Sequence, residues 1–173
     1  MIDLAPRKPA TFLFLMALLP CHLAVAQVSP ASSGSYARDL GALTAEIRGA
    51  RWIADICSAA YPDLKVQEQA AVDRWRTRHA PFIAEMDARF DALPASWAAT
   101  QPAPAGAGPG YWDAFLKKQL DGARDVVRRQ FTTLAPEKKR SICLSFPQSL
   151  NAARWDLERY HANEVATVRR NRP

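Results

Sequence analysis

From Tyr36 onward, apolar residues recur at alternating steps of four and three: Tyr36, Leu40, Leu43, Ile47, Ala50, Ala54, Cys57 and Tyr61. A helix turns about 100° per residue, so these positions share one face and predict an amphipathic helix over 36–61. Pro62 ends it, because the residue before a proline avoids the α region. A second stripe runs through Leu64, Val72, Trp75, Phe82, Met86, Phe90 and Leu93. Pro81 lies inside it and predicts a kink or break near His79, since proline removes a backbone donor and clashes with the preceding turn. Pro94 is expected to close this segment.

Residues 94–110 hold four prolines and three glycines and read as a linker loop. Trp97 is expected to pin that loop to the surface. A third helix is expected from Trp112 through Phe115, Leu116, Leu120, Ala123, Val127 and Phe131 to Leu134. A short helix then opens at Pro136 and carries Ile142, Cys143 and Phe146. Pro147 restarts the chain, and a last helix follows through Leu150, Ala153, Leu157, His161, Val165 and Val168. No stretch alternates with period two. The expectation is an all-α fold: a bundle of four long amphipathic helices plus one short helix, with the Pro/Gly-rich loop between the halves.

Ahead of this helical domain (36–173) the pattern changes. Arg7 and Lys8 precede an apolar run from Phe12 to Leu19, and Ala24-Val25-Ala26 supplies small residues at a cleavage site. That order reads as a secretory signal peptide over 1–26, with an apolar run too short to span a bilayer. Pro20 before Cys21 disfavours lipid attachment. Residues 27–35 are small and polar and read as a flexible lead-in.

Cleavage after Ala26 would leave 147 residues, the size of one ordinary domain. Hydrophobic residues make up 49% of the chain, which argues against disorder. Arg is far commoner than Lys and Ala is abundant, a composition that points to a GC-rich bacterial source and hence to the periplasm or secretion. The formal charge of +6 is modest, and no aromatic-plus-basic RNA-binding module is present. No nucleic-acid partner is expected. Nor does any run after the leader reach the roughly 20 apolar residues of a transmembrane helix. In an oxidising compartment the two remaining cysteines, Cys57 and Cys143, are expected to pair as a disulfide.

Candidate chemistry is sparse. Glu158 and His161 match the Glu-x-x-His spacing that places two metal ligands on one helix face, with Glu164 in reach. Di-iron bundles use two such copies, and here there is one. The alternative is that His161 packs on the apolar stripe while Glu158 pairs with Arg154. His79 sits at the expected break and either caps it or marks a site. Arg74, Arg76 and Arg78, and Arg124, Arg128 and Arg129, read as solvated helix faces. No Gly-x-Ser-x-Gly, His-Glu-x-x-His or phosphate-cradling glycine loop occurs, and no cofactor is called for. Trp75 and Trp112 fit core stripes. Trp52, Ile53, Ile56 and Trp155 fall off them, which implies either helices enclosed on two sides or an exposed contact face. The chain therefore reads as an exported, non-enzymatic helical protein that binds a protein or envelope partner. The alternative reading is a small metal- or ligand-binding bundle using Glu158 and His161.

Overall fold

The computed structural model describes residues 30–171, and every regular element among them is helical. In chain order these are α1 (Tyr36–Ala60), a 3-10 turn at Pro62–Leu64, α2 (Lys65–Arg78), α3 (Ala80–Asp91) and α4 (Leu93–Thr100). After a loop come α5 (Tyr111–Thr132), α6 (Pro136–Ser149), a 3-10 turn at Ala153–Trp155, α7 (Leu157–Tyr160) and α8 (Ala162–Arg170). The leader 1–26 and the start of the lead-in lie outside the described residues.

The all-helical class follows the periodicity, but the plan of four long helices plus one short does not. The second stripe is interrupted at His79, whose φ of −105° and ψ of 15° leave the helical region between α2 and α3. Pro94 opens a helix rather than closing one. It sits in the first turn of α4, where a missing N–H removes no helical hydrogen bond. The linker expected over 94–110 is thereby shortened to 101–110. Pro147 likewise fails to restart the chain, because α6 runs through it to Ser149. The expected last helix is instead broken twice, at 151–156 and at His161. The cause of the first break is tertiary. Trp155 is only 4% exposed, and its carbonyl accepts the indole N–H of fully buried Trp75 at 2.8 Å. A straight helix through Ala153 and Leu157 would turn Trp155 away from that pocket.

Around α1 the other helices gather. It packs against α2, α3, α5, α6, α7 and α8. Leu40, Leu43, Ile47, Ala50, Ala54 and Cys57 along it are at most 1% exposed. Trp52, Ile53 and Ile56 on its other faces are half-buried, so this helix is enclosed on more than one side. The edges are tied by polar contacts. Glu85 of α3 takes a bidentate pair of hydrogen bonds from Arg169 of α8 and a further one from Arg89. These contacts hold the Glu85 carboxyl below its usual value despite partial burial. Residues 32–33 are tethered rather than loose: Ser32 and Ser33 donate to Asp39, and Ser32 Oγ lies 2.8 Å from Thr167 Oγ1 of α8. Burial would raise the Asp39 carboxyl, but these donors outweigh it and hold it below the ordinary range.

The Sγ atoms of Cys57, at the end of α1, and Cys143, in α6, stand at disulfide-bonding distance with their Cα atoms 5.4 Å apart. Both residues are fully buried, with Leu64 packed on them. A bridge there would link positions 86 apart, for which the chain-entropy model gives about 4–5 kcal/mol. Denatured, unreduced protein cleaved after Ala26 should accordingly show no thiol reactive to maleimide, and Cys143→Ser should lower stability by about 4 kcal/mol in a urea melt. Two labelled thiols per chain would refute the bridge.

Glu68 of α2 is fully buried, and neither carboxylate oxygen has a protein hydrogen-bond partner. Burial pushes its pKa up to about 7 from the ordinary 4.5. The folded state therefore holds this proton more tightly than the unfolded chain does. The stability linked to Glu68 is fully present below the unfolded value and is lost as pH rises through about 7, a change of about 3 kcal/mol. Glu68→Gln should remove that dependence. Its melting temperature should exceed the wild type's near about pH 8 and match it near about pH 4.

Candidate functional site

Glu158 and His161 have different side-chain partners in the structure. Glu158 is about half exposed and pairs with Arg169, Nη1 to Oε1 at 2.8 Å, and not with Arg154. His161 is 5% exposed at the junction of α7 and α8, with Nδ1 3.2 Å from Oε1 of equally buried Glu164. Glu158 lies on α7, and His161 caps that helix, its N–H donating to the Leu157 carbonyl. Glu46 of α1 lies near enough to feel His161 electrostatically. Burial raises the Glu46 carboxyl, while His161 and Arg154 oppose the shift. Among the described residues no three His, Cys, Asp or Glu side chains converge as a metal site. His79 packs its ring 5.5 Å from that of Trp75 at the α2–α3 break, and burial followed by Arg78 lowers its pKa. It acts as a structural joint. Arg78 reaches Asn151 and the Leu150 carbonyl, and Arg128 pairs with Asp125, so these basic groups are engaged locally.

A different region gathers the accessible chemistry: the corner where α3 passes through α4 and the 101–110 loop into α5. Gly110 begins α5 in the left-handed region at φ 79°, a conformation glycine adopts without a side-chain clash. Tyr111, Trp112 and Phe115 then project within little more than one turn. Trp97 of α4 meets Trp112 edge-on, ring centroids 5.2 Å apart, and also contacts Phe115 at 6.0 Å. Tyr111 completes the cluster at 4.9 Å from Trp112. Such tilted pairs contribute about 0.5–1.5 kcal/mol each beyond their buried area and clamp α4 to α5. Trp97 thus fastens the loop, though to α5 and from within a helix.

Beside this clamp lie two adjoining depressions. One, of about 280 Å³, is lined by Asp91, Pro94, Ala95, Ala98, Gly110, Tyr111, Trp112 and Asp113. The other, of about 370 Å³, is lined by Arg48, Phe90, Asp91, Pro94, Asp113, Leu116, Lys117 and Leu120. They share Asp91, Pro94 and Asp113 and so adjoin as one groove. Asp113 stands in the first turn of α5, where the helix dipole favours an acid. Asp91 is the last residue of α3, where the dipole disfavours one. Neither carboxylate is ion-paired among the described residues. Two cations share the groove with them: Arg48, 5.3 Å over the Phe90 ring, and Lys117, which pairs with Asp121 at 2.5 Å.

Sequence reasoning singled out Trp97 and Trp112 but missed Asp91 and Asp113. Their convergence depends on α4 folding back onto α5, and no fixed spacing encodes that. The density of aromatics in Tyr111-Trp112-Asp113-Ala114-Phe115 was the available signal. Comparison with models of known protein families, with curated proteins and with solved structures finds no match for the chain.

Trp112→Ala should release the clamp. Helicity by circular dichroism should fall little, while limited proteolysis within 101–110 should accelerate.

Proposed function

We propose that this chain is an exported, non-enzymatic helical protein that binds an envelope protein partner along its α4–α5 edge. The observation that carries the reading is the incomplete burial of α5. Its apolar stripe spans 22 residues, yet Leu116 is the only residue in it that is buried. Phe115, Leu120, Ala123, Val127 and Phe131 are half-covered, and Val126 is 42% exposed. On the inner side α5 packs against α1 and α4. A stripe paired on one edge only is the kind of surface that a second protein covers.

Export is supported by the order of charge, apolar run and small residues in 1–26 and by the apposed cysteines. No described helix is long and apolar enough to cross a membrane. Glu158 and His161, engaged with different partners, lend the metal-binding alternative no support.

A photoreactive amino acid at position 126 should crosslink in intact cells to a discrete envelope protein, and the same residue at exposed position 74 should not. Absence of any adduct at 126, with the protein folded and exported, would remove this reading.

A further inference from the structure

We infer that the first half of α2 is a proton-controlled latch, closed on α1 and α6 while Glu68 is neutral and lifting away when Glu68 ionises. Glu68 is fully buried, and neither of its oxygens has a protein partner. A neutral carboxyl tolerates such a place far better than a carboxylate without donors does. Any movement that lets water reach the side chain relieves the charged form, and the local packing makes one such movement easy.

From Pro62 to Ala71 the buried residues are Leu64, Glu68 and Ala71. Leu64 closes over Cys57 and Cys143, and Ala71 has little surface to bury, so Glu68 holds the middle of the contact face. Val66 beside it is 81% exposed, and α2 begins without a side-chain cap. Beyond Ala71 the anchoring is firm. Val72 and Trp75 are fully buried, and Trp75 donates to the Trp155 carbonyl. Ahead of the segment the ties are exposed: Arg140 of α6 pairs with Asp63 at 3.3 Å, and the Tyr61 hydroxyl donates to the Pro136 carbonyl. An exposed ion pair contributes little. A stretch with so few buried apolar contacts opens locally, ahead of the whole fold.

The charges around α2 do not rescue the carboxylate. α1 carries Arg51 and Asp55, which pair with each other, and α6 carries Lys138, Lys139 and Arg140, the last engaged by Asp63. On α2 itself Lys65 and Asp73 are exposed, and Asp73 lies 4.0 Å from Arg51. α3 follows from the opposite end of α2, at His79, and its Glu85 is taken by Arg89 and Arg169. Burial alone displaces the Glu68 carboxyl upward, with no cation offsetting it.

The test follows amide hydrogen exchange of the whole exported protein by mass spectrometry from about pH 5 to about pH 8.5, corrected for intrinsic exchange rates. Protection over residues 65–71 should fall about five- to tenfold per pH unit up to about 7 and then level off, a total loss of about fiftyfold or more. Protection of α1 over Leu40–Ile47 should not follow it. Glu68→Gln and Glu68→Leu have no proton to lose, and each should keep the segment's protection constant across the range. The leucine variant replaces the glutamine one if the latter does not fold, and the wild-type profile decides alone if neither folds. A flat wild-type profile, an undiminished pH response in a folded variant, or a parallel loss of protection in α1 would overturn the inference. The latch is independent of the binding reading, and none of these outcomes bears on the crosslink at position 126.

Discussion

One helix has to be buried on several sides at once, and the rest of the molecule follows from that demand. α1 presents Leu40, Leu43 and Ile47 to its neighbours in one half and narrows to Ala50, Ala54 and Cys57 in the other. The small residues let helices approach closely where Cys57 meets Cys143 of α6. The larger ones fill the space under α3 and α8. A helix apolar on a single face needs one partner layer. Half-buried Trp52, Ile53 and Ile56 show that this helix needs a second, and α5 supplies part of it. Because α5 gives its inner surface to that task, its own stripe stays incompletely covered. The exposed edge proposed as a binding surface is thus a consequence of how the central helix is satisfied.

The breaks in the chain are resolved by specific contacts. His79 packs its ring at a tilt against Trp75 at the first break, and Trp75 in turn donates to the Trp155 carbonyl near the second. Trp155 sits edge-on to both Trp75 and Phe146, joining α2 and α6 through the 3-10 turn. At the third, His161 is buried against Glu164 rather than offered to a ligand. Interruptions that looked like places for chemistry are thus occupied by packing. Three unpaired carboxylates show two settings with opposite meanings. Glu68 is buried without a partner and penalises its own ionisation, whereas Asp91 and Asp113 are exposed and available.

Much of the architecture was legible in the residue pattern, though unevenly. The span of α1, the break at His79 and the start of α5 follow from periodicity and proline placement, both local properties. Proline misled at 94 and 147 because its cost depends on position in the helix, negligible in the first turn and tolerable near the end. For Trp155 the pattern left enclosure on two sides or an exposed contact face open, and the structure takes the first; Trp112, expected in the core, is only half-buried. Trp155, off its stripe in a straight helix, is buried once the helix breaks, and Trp112, on its stripe, stays half-exposed because α5 lies at an edge. Of the Glu-x-x-His pair, the structure shows Glu158 with Arg169 and His161 with Glu164, partners that no local spacing specifies.

By itself the sequence determined what depends on neighbours along the chain: the helical class, the apolar face of α1, the leader-like charge pattern and the two cysteines eligible to meet. Only the tertiary structure decided which of those faces would find a partner. It brought Asp91 and Asp113 to one groove, turned Arg169 to Glu85 and Glu158, and left α5 partly uncovered. The physical reason is range. Helix propensity and periodicity act over a few residues, while burial and charge pairing are settled between segments tens of residues apart, after each helix has competed for the same central surface.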